Sequence, residues 1–168
     1  MVVKLGEVAR ACVNTHFHAQ AKEFRWDTQF EKENFLGDPD RLEQVFLNLY
    51  RNATEAEALN IETKVRCEGK RLVVTIEDDG KGCHAEDIGG IFTPFFTSKP
   101  GPVRRGLGLF IVQSIVEIHG GKIRADSKNN PATGSHGLVF TLDLPLCETL
   151  PLTLETENHI SFNYREVV

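Results

Sequence analysis

The chain has 168 residues, 40% of them hydrophobic and 26% charged, with a formal net charge of −5. That length suits one compact domain able to bury a core without staples, and the 19 Lys and Arg form no long run, which argues against a nucleic-acid-binding face. No apolar stretch approaches the ~20 residues that span a bilayer, and the N-terminus lacks a signal-peptide layout. Cys12, Cys67, Cys83 and Cys147 make no CxxC pair and so no zinc-ribbon spacing. The expectation is a cytoplasmic domain with buried or half-buried thiols and no membrane contact of its own, whatever anchors a longer parent.

Leu5, Val8, Ala9 and Cys12 fall on one stripe and predict a helix over about residues 4–22. Phe24, Trp26, Thr28 and Phe30 alternate as in a strand. Asp38 is then a helix N-cap, with Pro39 at the first helical position. Leu42, Val45, Phe46, Leu49 and Ala53 continue as a strong apolar stripe. Strands Ile61–Cys67 and Arg71–Glu77, joined by Glu68-Gly69-Lys70, read as a hairpin. From Asp78 to Gly108 no period survives, and a loop that long is uncommon unless it is functional. A second apolar helix begins near Gly108 and stops at Gly120-Gly121. Strands Lys122–Ser127 and Leu138–Pro145 close the domain. The division is residues 1–146, with 147–168 a tail or extra strands in which Leu150, Leu152, Leu154 and then Ile160, Phe162, Tyr164 alternate. Hairpins with helices to one side give an α+β two-layer sandwich.

Four constellations carry chemistry. Asp78-Asp79-Gly80-Lys81-Gly82 ends an apolar strand. Alone it reads as a turn, but a carboxylate there could accept a hydrogen bond from the exocyclic amine of adenine, with glycines allowing close backbone approach. Asn48 and Asn52 lie four apart on one helix face, with Glu55 on the same side; an amide oxygen is a suitable hard ligand for Mg²⁺, which takes its other ligands from water and phosphates. Phe92, Phe95 and Phe96 crowd the segment IFTPFFTSKP, as a loop pinned to the core or as the anchored base of a lid carrying Lys99. Gly106 and Gly108 open a helix whose free amides attract phosphate, beside Arg104 and Arg105.

In this order the segments DPDRLEQVFLNLYRNATEAEA, DDGKG, IFTPFFTSK and RRGLGLFIVQSIVEIHGG resemble the ATP-binding domain of sensor histidine kinases. That domain falls in the wider group of gyrase-type topoisomerases, ninety-kilodalton heat-shock chaperones and mismatch-repair ATPases. The likeness covers about residues 5–146. It implies a Bergerat-type two-layer α/β sandwich: a mixed, mostly antiparallel sheet with helices on one face and a long ATP lid.

The resemblance also implies roles. Asn52 would hold Mg²⁺ and Asn48 would lie by the phosphates. Asp78 would bond the adenine amine, with Gly80 and Gly82 beside the ring. Thr97, Ser98 and Lys99 would belong to the lid. Gly106, Leu107, Gly108 and Leu109 would present amides to the phosphates, and Thr141 would touch the adenine side. The implied activity is phosphoryl transfer from Mg-ATP to a histidine on the parent's dimerisation domain, and onward to a response regulator.

Where the group's hydrolases carry a glutamate that activates water, this chain has Asn48, which cannot act as a base. That favours a kinase, and it speaks against a stand-alone serine kinase of the anti-sigma-factor type, which needs a carboxylate there. Arg104 stands where the second glycine box has another glycine, a departure that would also suit a degenerate nucleotide-binding module. No phosphoacceptor motif is present; His16 and His18 sit within a helix of the ATP domain, so the domain alone is expected to bind nucleotide without phosphorylating itself.

Overall fold

The structure, a computed structural model, describes residues 1–27, 34–96, 106–129 and 136–146. In chain order its elements are β1 (Val2–Lys4), α1 (Leu5–His16), β2 (Glu23–Trp26), β3 (Asn34–Leu36), α2 (Pro39–Glu55), β4 (Asn60–Glu68), β5 (Arg71–Asp78), a 3₁₀ turn (Ile88–Gly90), α3 (Gly108–Ile118), β6 (Lys122–Ser127) and β7 (Leu138–Pro145). A five-stranded sheet runs in the order β2-β4-β5-β7-β6. Among the described residues only the β2–β4 pairing is parallel. β1 and β3 form a separate antiparallel pair.

Strand alternation decides which residues meet the helices. Ile61, Thr63 and Val65 of β4, Leu72, Val74 and Ile76 of β5, and Phe140, Leu142 and Leu144 of β7 are all buried. The register pairs Val65 with Val74 and Val74 with Leu142, so these residues share one sheet face. The apolar stripe of α2 covers that face with Leu42, Val45, Phe46, Leu49, Tyr50 and Ala53. α1 and α3 pack on either side of α2. The result is the expected α+β two-layer sandwich.

The buried Tyr50 hydroxyl and Thr63 Oγ1 satisfy each other at 3.0 Å, so this polar pair carries little desolvation cost. The start of α2 is as the sequence predicts. The Asp38 carboxylate accepts from the amides of Asp40 at 3.0 Å and Arg41 at 3.3 Å, and Pro39 occupies the first helical position.

One expectation needs correction, and one strand pair was not expected. The first helix ends at His16 rather than near residue 22. Phe17 is buried and its ring meets both Phe24 and Tyr50, so the chain turns there to seat the aromatic. Residues 2–4 pair with β3 as a short strand ahead of that helix, and neither β1 nor β3 is evident from the sequence pattern. Of the strand expected through Phe30, Glu23–Trp26 is seen; Thr28 and Phe30 lie outside the described residues. So do Cys147 and the tail 147–168.

Candidate functional site

Asp78 occupies the last position of β5, where the alternation that buries Leu72, Val74 and Ile76 also buries a carboxylate. It is 4% exposed. A buried ionisable group at the mouth of a core is more informative than any exposed one. Its Oδ1 accepts from the Gly80 amide at 2.9 Å and the Leu138 amide at 3.4 Å. Its Oδ2 carries no hydrogen bond among the described residues. Burial pushes the Asp78 pKa above the ordinary carboxylate value, against the opposing pull of the Gly80 and Leu138 amides and of Lys128. The group is a carboxylate with Oδ1 fixed by the backbone amides of Gly80 and Leu138.

The following loop is folded tightly around it. The Asp79 carboxylate accepts from the Leu59 amide at 2.8 Å, the Asn60 amide at 2.9 Å and the Asn60 side chain at 2.7 Å. Burial works upward on this group, but those bonds hold its pKa below the usual value. The Lys81 amide donates to the Ala56 carbonyl at 2.9 Å, tying the loop to the end of α2. A Cβ on Gly80 would lie 2.8 Å from the Ala56 carbonyl oxygen, and one on Gly82, where φ is +69°, would fall inside the Asn129 amide. The space freed by the missing side chains of Gly80 and Gly82 is therefore taken by Ala56 and Asn129. These glycines fold the loop against its neighbours.

Asn48 and Asn52 are half-buried beside the apolar stripe of α2, while Glu55 ends the helix exposed. The Asn48 Nδ2 is shielded from solvent and has no hydrogen-bond partner among the described residues. A buried donor without an acceptor costs on the order of 1–3 kcal/mol. A Cβ placed on Gly108 would lie 3.6 Å from the Asn48 Oδ1. The first residue of α3 thus faces the same amide group. Leu107 is the N-cap, without a side-chain cap, and Leu109 is half-buried against the core.

The aromatic segment divides. Phe92 packs edge-on against Phe140 at 6.5 Å, and Phe92 and Phe96 both rest on the core. Phe95 does not anchor it: it is 72% exposed, with φ at +66°. Its backbone amide instead donates to the Gly106 carbonyl at 3.0 Å, and a Cβ on Gly106 would lie 2.6 Å from the Phe95 carbonyl carbon. Gly106 is thereby required where the two ends of the intervening segment meet. Thr97, Ser98, Lys99, Arg104 and Arg105 lie outside the described residues.

Thr141 is not part of the site. It pairs with Thr75, and Thr75 lies between the inward-facing Val74 and Ile76 on β5, so Thr141 projects from the sheet face opposite Asp78. The inward neighbour of Asp78 on β7 is Leu138 instead. The sequence reading also missed Ser127, Asn129 and Gly137. A Cβ on Gly137 would collide with the Asp78 carbonyl. Ser127 ends a strand, and the only sequence signal of Asn129 and Gly137 is membership of a polar, turn-forming loop.

Of the described thiols Cys12 is buried and Cys83 half-buried, as expected, but Cys67 is exposed, which corrects the expectation for that residue: it lies near the end of β4, past the inward-facing Val65. Burial, with the Glu43 charge, pushes Cys12 up to about 12, and burial, with Asp87, raises Cys83. Among the described residues no helix is long and apolar enough to cross a membrane.

Residues 37–148 match the family model for histidine kinase-, DNA gyrase B-, and HSP90-like ATPases. The sensor histidine kinase ZraS of Klebsiella oxytoca is 48% identical over 112 residues, which is 65% of this chain and 23% of that protein. ZraS of Salmonella typhimurium is 39% identical over 134 residues, 76% of this chain and 27% of that protein. The chain thus spans about a quarter of the length of these relatives. Among solved structures, a catalytic domain of the histidine kinase ThkA superposes with a TM-score of 0.71 at 29% identity, covering 87% of this chain and 95% of that one. The mycobacterial sensor histidine kinase MprB shares the fold, with a TM-score of 0.74 at 24% identity over 87% of this chain and 98% of that one. The chain therefore belongs to the family of histidine kinase-, DNA gyrase B- and HSP90-like ATPases, as an ATP-binding domain of the sensor-histidine-kinase kind.

Proposed function

We propose that this domain binds Mg-ATP and presents its γ-phosphoryl to a histidine on a separate dimerisation domain of a longer sensor kinase, from which it passes to a response regulator. The observation that carries the nucleotide part is Asp78: a buried carboxylate with Oδ1 held by the Gly80 and Leu138 amides and Oδ2 unbonded among the described residues. An adenine amine donates to such an oxygen, whereas guanine places a carbonyl there and is repelled.

The phosphate end rests on Asn48 and α3. The orphaned Asn48 Nδ2 would donate to a phosphate oxygen, and the free amides at the start of α3 would receive the same anion. Among the described residues no three His, Cys, Asp or Glu side chains converge into a cation cage. That donor set suits Mg²⁺ arriving with phosphates and held by the Asn52 amide oxygen. When bound, the ion would neutralise charge developing in phosphoryl transfer. Asn48 cannot take a proton from water, so the chain lacks a general base at that position and the acceptor is an imidazole supplied from elsewhere.

Calorimetric titration tests the first step. ATP should bind the native chain in the presence of Mg²⁺, GTP should bind far more weakly, and equal affinity for the two would remove the adenine assignment.

A further inference from the structure

We propose that Asn129 is a positioning residue for base recognition: its side chain clasps the two loops that flank Asp78 and so fixes the direction in which the Asp78 carboxylate points. This rests on the assignment of Asp78 to the adenine amine.

The two amides that hold Asp78 Oδ1 come from different loops. Gly80 belongs to the loop after β5, and Leu138 opens β7. The carboxylate is therefore oriented only while those loops keep their spacing. Asn129, just past β6, spans them. Its Nδ2 lies 3.3 Å from the Lys81 carbonyl and 3.4 Å from the Cys83 carbonyl, donating to the first loop. Its Oδ1 accepts from the Gly137 amide at 3.2 Å, holding the second. Gly82, which lacks the Cβ that would displace it, makes room for this amide.

Ser127 reinforces the clasp from below. Its hydroxyl donates to the Cys83 carbonyl at 2.9 Å and accepts from the Asn129 amide at 3.3 Å. The Lys128 amide donates to the Gly137 carbonyl at 2.9 Å, and Gly137 packs directly on the Asp78 carbonyl.

Asn129 is exposed and belongs to no apolar cluster, so its removal takes little from the core. Without it the Gly80 and Leu138 amides move independently, the Asp78 Oδ2 samples several directions, and a bond that requires fixed geometry is weakened. The rest of the nucleotide would be held as before. The role therefore has a signature that general destabilisation lacks: it changes the contribution of one exocyclic amine.

The experiment compares ATP with purine riboside triphosphate, the same nucleotide without the 6-amino group, by calorimetry on the native chain, Asn129→Ala and Ser127→Ala. The native chain should prefer ATP by about tenfold or more, the worth of a hydrogen bond to a charged group. In Asn129→Ala that preference should fall by about threefold or more, through weaker ATP binding, with the amine-free nucleotide within about twofold of native; Ser127→Ala should shift it in the same direction by less. An intact preference in Asn129→Ala, whether both nucleotides bind as before or both weaken equally, overturns the proposal. If Asn129→Ala fails to fold, Ser127→Ala decides: a reduced preference supports the clasp and an intact one overturns it. A native chain with no preference for ATP would instead overturn the Asp78 assignment, and the clasp with it.

Discussion

Replacing Asp78 with Asn should separate binding from stability. In the unliganded domain Asp78 is a buried carboxylate whose pKa lies above its unfolded value. A group with a raised folded pKa contributes stability below the unfolded pKa and loses it as pH rises through the folded one. At neutral pH the charged form is thus a liability to the empty domain, and a neutral amide removes it. Asn also keeps an oxygen for the Gly80 and Leu138 amides, now 2.9 and 3.4 Å from Oδ1.

With the oxygen so used, its NH₂ takes the place of Oδ2 and faces the adenine amine, donor against donor. The lost charge-assisted bond is worth about 1.5–3 kcal/mol, or roughly 10- to 150-fold in affinity. Urea denaturation with and without nucleotide reads both effects. At 100 times its dissociation constant ATP stabilises the native chain by about 2.7 kcal/mol, while a variant bound about 100-fold more weakly gains about 0.4 kcal/mol at the same concentration. The empty variant should be no less stable than the native chain. Unchanged ATP stabilisation, or a large loss of stability in the empty variant, would refute the reasoning.

Other perturbations probe other parts of the site. Asn52→Ala should abolish the gain in ATP affinity that Mg²⁺ confers on the native chain; calorimetry with Mg²⁺ and with EDTA checks this, and an undiminished gain would exclude Asn52 as a ligand. Gly137→Ala places a Cβ against the Asp78 carbonyl at φ of +116° and should destabilise by more than about 1 kcal/mol, visible as a lower urea midpoint. Tyr50→Phe leaves the buried Thr63 hydroxyl unpaired and should cost about 1–2 kcal/mol without altering ATP affinity. The Asp79 pKa is depressed, so its contribution is present above the unfolded carboxylate value and lost as pH falls through the folded one; Asp79→Ala should flatten the acid limb of the stability curve measured by thermal unfolding.

The burial of Asp78 and the helix that carries Asn48 and Asn52 were legible in the sequence, the wiring around them much less so. Apolar alternation through RLVVTIED puts residue 78 in step with Leu72, Val74 and Ile76, and the structure buries it with them. The Asp38-Pro39 cap fixed where α2 begins, and hence which of its faces carries Asn48 and Asn52. Thr141 was misplaced because strand parity depends on register: one pairing with Thr75 moves it to the other face. Glycines announce a turn without saying what fills the space, so Ala56 and Asn129 were invisible as the neighbours of Gly80 and Gly82. Phe95 is set apart from Phe92 and Phe96 by a left-handed backbone conformation and by its exposure, neither of which composition reveals. β1 and β3 are three residues each, too short for any period to declare itself.

The central claim is that this domain passes a phosphoryl group to a histidine it does not itself carry. It is tested most directly with γ-labelled ATP and Mg²⁺, incubating the chain alone and with a separately produced dimerisation domain from a related sensor kinase. The account predicts no stable label on the chain alone, and on the added domain an acid-labile label lost when its acceptor histidine is replaced. Label on this chain itself, or phosphate released to water as fast with the partner absent as with it present, would contradict it.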